Sequence, residues 1–344
     1  MSVLANFING SFVIPTTQST VDVVNPATGI CIAKVPLSTV NDLDIAVQAG
    51  KIAFDNWSSL TLKARAAIIF KLHNLIDKYS QELAEIIVKE NGKNITEALA
   101  DIAKGNETVE WATGLPQIAV QRQLEVSRGV TCQELRMPLG VVGAIVPFNF
   151  PAMVPLWTIP IALTMGNCVI LKPSEKVPLT MMRIAELMIE AGIPPGVFQI
   201  VHGAVDVVNG LCDHPDVHAI TFVGSSKVAE LVSHRCHAVN KRVLALGGAK
   251  NHLLALPDCD VSMVSRDIVA SFAGCAGQRC MAASVLILVG DGTAEAKQYL
   301  IDTLLHQVIE ATKPLVAGQL AGQVGPLIDE IAKKRYAYDD YDDT

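Results

Sequence analysis

The chain has 344 residues, half of them hydrophobic and only 18% charged, which supplies a large core and excludes a disordered or collagen-like chain. Its 27 basic and 34 acidic residues leave a formal net charge of −7 with no Lys/Arg run, and aromatics are only 5%, so no nucleic-acid partner is expected. A chain of this length predicts two domains, or two plus a small appendage.

Short strands are expected near 7–13, 21–24 and 30–35, with Asn25-Pro26-Ala27-Thr28-Gly29 as a turn. Helices follow over 39–57, 61–91 and 94–120. The second carries a one-sided stripe of Leu72, Leu75, Ile76, Tyr79, Leu83, Ile86 and Ile87, closed by Gly92. Residues 123–136 alternate around Arg128-Gly129 and read as a hairpin at an edge or interface. From Met137 to Leu171 there is no charged residue and no His, but Pro138, Pro147, Pro151, Pro155 and Pro160 break the run. No bilayer-spanning helix of about 20 residues survives that spacing. The segment reads as a buried strand, a loop, a short helix and a second buried strand.

Apolar runs at 141–146, 168–171, 197–201, 219–223 and 243–246 alternate with helical stretches near 152–165, 178–191, 205–213 and 225–237. That alternation predicts parallel βαβ units in a doubly wound α/β sheet. A second α/β run follows, with strands at 253–256 and 285–289 and helices at 260–273 and 293–312. Residues 336–344 are acidic and of low complexity and are expected to be disordered. The eight cysteines show no CxxC spacing and read as reduced thiols. No targeting segment is visible at the start, so a cytoplasmic location is expected.

Ligands of a doubly wound sheet bind at the carboxyl ends of its strands. Neither GxGxxG nor GxxxxGK[ST] occurs. One strand end reads Lys172-Pro173-Ser174-Glu175-Lys176; a Lys and a Glu three apart can flank a ribose, and the carboxylate would repel a 2′-phosphate. A solvated turn with a local ion pair accounts for the same residues. Another reads Phe222-Val223-Gly224-Ser225-Ser226, where Gly224 admits close approach and Ser225 offers a donor to a pyrophosphate or simply caps a helix. In Pro147-Phe148-Asn149-Phe150-Pro151 the Asn149 amide can donate to an oxyanion or satisfy a turn. In Gly274-Cys275-Ala276-Gly277-Gln278-Arg279-Cys280-Met281-Ala282 the neighbouring Arg279 favours a Cys280 thiolate. Cys275 has no charged sequence neighbour and reads as a buried small hydrophobe. No histidine or cysteine spacing indicates a metal site.

Taken together and in order, PFNFP, KPSE, FVGS, LGG and GQRCMA resemble the aldehyde dehydrogenase superfamily, over nearly the whole chain from Phe7 to about Ile328. GQRCMA and Gly248-Ala249-Lys250-Asn251-His252 resemble its CoA-acylating methylmalonate-semialdehyde dehydrogenase branch. The resemblance implies Cys280 as nucleophile, with Asn149 and the Cys280 backbone N–H as oxyanion hole. It implies NAD held by Val146, Phe148, Lys172, Glu175, Lys176, Gly224, Ser225 and Gly247, with CoA as co-substrate. Arg279 is implied as the partner of a substrate carboxylate, a structural ion pair being the other reading. Lys104 stands where the branch often has a second Arg. Hydrolytic members carry a Glu before Leu-Gly-Gly; here Ala245 precedes Leu246-Gly247-Gly248, which fits acyl transfer to CoA rather than water. Ala229 replaces a common Gly in the cofactor loop.

The implied division is an NAD-binding domain over 1–122 and 137–246, a bridging hairpin over 123–136 and a catalytic domain over 247–335. Family members continue well past residue 344, so a truncated product with an incomplete catalytic domain is expected, without the family's usual homo-oligomer. The expected reaction is NAD-dependent oxidation of malonate or methylmalonate semialdehyde to acetyl-CoA or propionyl-CoA. The rival expectations are a hydrolytic enzyme of the family and a fragment that only binds NAD or subunits.

Overall fold

The computed structural model describes residues 3–290 and 292–337. The chain opens with strands β1 (Asn6–Ile8), β2 (Ser11–Val13), β3 (Thr20–Val24) and β4 (Cys31–Pro36). The single strand expected over 7–13 is instead a hairpin. Asn9 and Gly10 both take positive φ, the turn that matches the twist of two short antiparallel strands. Helices α1 (Val40–Ser59), α2 (Leu62–Lys78), α3 (Ser80–Asn91), α4 (Ile95–Thr113) and α5 (Leu115–Ile118) follow. The helix expected over 61–91 breaks at Tyr79, which leaves helical geometry at ψ 16°. The stripe still works across the break, because Leu72, Ile76, Leu83 and Ile87 are all fully buried in the main core. The hairpin is β5 (Arg122–Ser127) and β6 (Val130–Glu134), exposed along its whole length.

Next come β7 (Val141–Ile145), α6 (Met153–Thr164), β8 (Cys168–Lys172), α7 (Leu179–Ala191), β9 (Phe198–Ile200), α8 (Val205–Asp213), β10 (Val217–Val223), α9 (Ser226–Ala238) and β11 (Arg242–Leu246). One seven-stranded sheet runs in the order β11-β10-β7-β8-β9-β1-β2. The five strands from β11 to β9 are parallel, and β1 and β2 add antiparallel at one edge. Every residue of β7, β8 and β9 is buried, so helices cover both faces of the sheet's centre, as a doubly wound fold requires. Strand β11 alternates exposed and half-buried residues, and Leu244 and Leu246 face outward. Ala229 sits in the main core, so its methyl is absorbed by packing of α9.

The second α/β run is a two-stranded parallel sheet of β12 (Asn251–Ala255) and β13 (Ala283–Leu288), joined by α10 (Val261–Ala273). It has its own small core of Ala255, Ile268 and Leu304. The helix expected over 293–312 runs as α11 (Ala294–Leu300), a π-helical turn (Ile301–Leu305) and α12 (His306–Thr312). A last helix, α13 (Glu330–Ala337), carries helical structure two residues into the expected disordered tail; the rest of that tail lies outside the described residues. Among the described residues no helix is long and apolar enough to cross a membrane.

Two buried polar devices fix the helices around the sheet. Lys93 and Asp101 form an ion pair of 2.6 Å with both side chains essentially inaccessible. The other Asp101 oxygen accepts the Met153 N–H at 2.8 Å, which seats the start of α6 against α4. The same two helices close on Gly105, where a Cβ would stand 3.1 Å from Met153 Cα. Separately, Pro178 at the N-cap of α7 offers no side-chain cap. Buried Glu90, at the end of α3, accepts the N–H groups of Leu179 at 2.6 Å and Thr180 at 3.0 Å, and the Thr180 hydroxyl. Burial raises the Glu90 pKa to about 7, although these hydrogen bonds pull it down.

Asp101→Ala should therefore lower stability by about 3–5 kcal/mol in denaturant unfolding, because it leaves Lys93 charged and unpaired in the core. Removing either partner of the exposed Lys34–Asp22 pair should change little. The folded state keeps a proton on Glu90 that the unfolded chain releases near pH 4.5, so Glu90 makes stability fall as pH rises from 4.5 through about 7. Unfolding midpoints across that window should decline in the native chain and be flatter in Glu90→Gln.

Candidate active site

Strands β8 and β9 lie on one side of β7, and β10 and β11 on the other. The crevice between the carboxyl ends of β7 and β10 is thus the topological switch point, where sheets of this kind bind ligands. A cavity of about 360 Å³ opens there. Phe148 and Asn149 line it from the end of β7, Gly224 and Ser225 from the end of β10, and Gly247 from the end of β11. Arg279 and Cys280 form the opposite wall, with Ile328 and Asp329 of the C-terminal segment. A second cavity of about 260 Å³, bordered by Glu97, Lys104, Phe150 and Trp157, also reaches Arg279 and Cys280. Cys280 therefore stands in a wall common to both.

The loop that carries Cys280 follows α10. Cys275, Ala276 and Gly277 are all left-handed, at φ 52°, 55° and 72°. Each of the two non-glycine residues costs about 1–2 kcal/mol in that conformation. Contacts from distant elements hold the turn. Glu97 Oε1 accepts the Cys275 N–H at 2.7 Å, and Asn149 Nδ2 donates to the Gln278 carbonyl at 2.9 Å. Gln278 Oε1 accepts the Ile328 N–H at 3.0 Å. Asn251 Nδ2 donates to the carbonyls of Cys280 at 2.7 Å and Ala282 at 3.1 Å. Asn149 thus gives one amide hydrogen to the loop and retains a second; its Oδ1 is buried without a partner.

Arg279 is engaged otherwise than its sequence position implies. Its Nε donates to Cys275 Sγ at 3.2 Å, Nη2 meets Glu97 Oε1 at 3.3 Å, and Nη1 meets the Ala270 carbonyl at 3.3 Å. The guanidinium expected to act on Cys280 therefore lies against Cys275, and Cys275 does have a charged neighbour. The fork expected for a substrate carboxylate is in an ion pair with Glu97. Cys275 is buried, as expected, and burial raises its thiol pKa, with Lys93 and Arg279 acting the other way.

On the sheet side, Lys172 Nζ pairs with Glu175 at 3.0 Å, with Lys172 almost fully buried. Burial raises the Glu175 pKa, but Lys172, its own N–H and Lys176 outweigh this and hold it below the usual carboxylate range. Lys176 pairs with Asp329 and lies 5.2 Å from the centroid of the Phe148 ring. Lys172, Glu175 and buried Val146 stand outside the wall of the larger cavity, behind the ends of β7 and β8. Lys104 is exposed, pairs with Glu107 at 2.8 Å and borders the second cavity. Ser225 occupies the N-cap position of α9 without a side-chain capping bond. A Cβ at Gly224 would stand 2.5 Å from the Phe222 ring, and one at Gly247 would stand 3.0 Å from Ser226 Cα.

Glu97, Asn251, Ile328 and Asp329 had no place in the site read from sequence. Asn251 was visible only as part of a branch-like motif; Glu97 and the 328–329 pair carry no local signal. Among the described residues, no group of three or more His, Cys, Asp or Glu is placed to hold a metal ion.

A family model described as the aldehyde dehydrogenase family matches residues 12–338. Malonate-semialdehyde dehydrogenase 1 of Geobacillus thermodenitrificans (strain NG80-2) is 46% identical over 336 residues, which are 96% of this chain and 68% of that protein. Malonate-semialdehyde dehydrogenase 1 of Geobacillus kaustophilus (strain HTA426) is 48% identical over 291 residues, covering 84% of this chain and 60% of that one. Among solved structures, a Sinorhizobium meliloti 1021 protein provisionally named methylmalonate-semialdehyde dehydrogenase, complexed with NAD, superposes with a TM-score of 0.92 at 35% identity. That match covers 98% of this chain and 68% of its neighbour. With its sheet order, its cavity at the switch point and these matches in agreement, the chain belongs to the aldehyde dehydrogenase family.

Proposed function

We propose that this chain carries the site of an NAD-dependent, CoA-acylating dehydrogenase of malonate or methylmalonate semialdehyde. The observation that carries this reading is the position of Cys280 between two cavities, one at the switch point of the sheet and one beyond it. The names of the relatives support the substrate, and the NAD complex of the structural neighbour supports the cofactor.

The residues present fit NAD. Gly224 and Gly247 line the larger cavity, where backbone without a side chain lets a ligand approach closely. Ser225 has a hydroxyl not used in capping, at the positive end of α9, which suits a pyrophosphate. Lys172 and Glu175 would flank the adenosine ribose, with Lys176 and Phe148 beside the same edge. Val146 would support that edge from behind. Bound NAD supplies a hydride acceptor.

In this reading the Cys280 thiolate adds to the aldehyde carbon and forms a thiohemiacetal. The free hydrogen of the Asn149 amide and the Cys280 N–H donate to the oxyanion. Departure of hydride from that carbon leaves a Cys280 thioester. Loss of carbon dioxide from the carboxylate leaves its electron pair on the α-carbon as an enolate, which takes a proton from water to give the acetyl or propionyl thioester. The CoA thiolate then attacks the thioester carbonyl and Cys280 leaves as thiolate, giving acyl-CoA. Ala245, in the position before Leu-Gly-Gly, offers no base for water, which favours the thiol as acceptor. Arg279 and Lys104 would meet the substrate carboxylate from the second cavity, each in competition with its present partner.

Cys280→Ala should lower acyl-CoA formation from semialdehyde, NAD and CoA by at least about a thousandfold, with NAD binding by calorimetry retained. Acyl-CoA formation that survives this change removes Cys280 from the mechanism. Glu175→Gln should shift the NAD-to-NADP affinity ratio by about tenfold toward NADP, since a carboxylate repels a 2′-phosphate. An unchanged ratio in parallel titrations would place Glu175 outside the ribose site.

A further inference from the structure

Four charged side chains border the second cavity: Glu97, Asp101, Lys104 and Arg279. Their formal charges sum to zero, which is unexpected in a pocket read as the seat of a substrate carboxylate. Asp101 is answered by Lys93 within the core, and Lys104 is tied to Glu107 near solvent. Arg279 and Glu97 are left facing each other. Glu97 is the more buried, with a side chain 15% exposed against 32% for Arg279. The contact is 3.3 Å, longer than a well-formed charge-assisted hydrogen bond. The Glu97 oxygen that makes it also holds the Cys275 N–H, while Oε2 is buried with no hydrogen-bond partner.

We infer that Glu97 is a specificity-determining residue: it competes with the substrate carboxylate for Arg279 and so weakens the preference of the Cys280 site for anionic substrates. A fixed carboxylate in this wall does two things. It partly neutralises the cation, and it repels an incoming anion directly. The remaining wall, with Phe150, Met153 and Trp157, suits an uncharged acyl chain. The site therefore accepts short neutral aldehydes alongside semialdehydes, and Glu97 sets the balance. This inference rests on Cys280 being the nucleophile of the proposed reaction.

Glu97→Gln removes the charge and keeps an oxygen to accept the Cys275 N–H. The test follows site-resolved alkylation of Cys280 in the full chain by iodoacetate and by iodoacetamide, a charged and an uncharged probe of similar size. The ratio of the two rates should rise by at least about threefold in Glu97→Gln, as expected for removing a like charge from a partly buried wall. It should not move in Glu82→Gln, which removes a surface carboxylate paired with Arg183. Arg279→Gln, in a chain that retains Glu97, should lower the ratio, and this variant keeps the idea open to refutation if Glu97→Gln does not fold. In turnover, Glu97→Gln should lower KM for semialdehyde by a larger factor than KM for propanal. A reactive Cys280 whose rate ratio is unchanged by these substitutions overturns the role of Glu97 and leaves the nucleophile standing. A Cys280 inert to both reagents in folded protein overturns the nucleophile and this inference together.

Discussion

The site depends on a backbone turn that would not hold its shape alone. Three successive left-handed residues, two of them with a Cβ, precede the cysteine that the two cavities share. Their conformation is unfavourable by a few kcal/mol in isolation. It persists because helix α4, the loop after β7, strand β12 and the C-terminal segment each contribute a hydrogen bond to it. The loop that carries the thiol is held by pieces of chain up to 178 residues away. The buried Lys93–Asp101 pair then matters to the site as well as to the core, since it fixes α4, on which Glu97 is carried.

Charge at the two cavities and behind the neighbouring strand ends follows one pattern. Lys172, Lys176, Lys104 and Arg279 each have a carboxylate partner in this structure. A phosphate or carboxylate ligand therefore exchanges one pairing for another instead of meeting a bare cation. Such exchange yields modest net affinity and strong selectivity, because a ligand of the wrong charge or reach leaves a carboxylate exposed to desolvation without return.

The parts of this architecture legible from sequence were those with local causes. Strands β7 to β9 read as continuous apolar runs because both of their faces are covered, and the loops at their ends fell where the runs stopped. The prolines that break the 137–171 run marked α6 as a short helix between two buried strands, but not its contact with α4. The break at Tyr79 was not legible, since the apolar stripe passes through it without a change of period. Asn9-Gly10 was absorbed into a strand because its flanks are only three residues each. In the site, Cys280, Asn149 and Gly224 were reached from motifs. The direction of Arg279 was not, because its partner Glu97 lies on a helix in another part of the chain. The same holds for Asp329, whose arrival beside Lys176 depends on where the last segment folds back.

That return has a thermodynamic corollary. Lys176 is bound at once to the loop after β7, through the Phe148 ring, and to the segment at 329, through its carboxylate. Any guest anion that draws the Lys176 ammonium toward itself loosens the docking of that segment, and tighter docking must in turn oppose the guest by an equal free energy. A guest that took this ammonium would compete with the chain segment at 329 for a single positive charge.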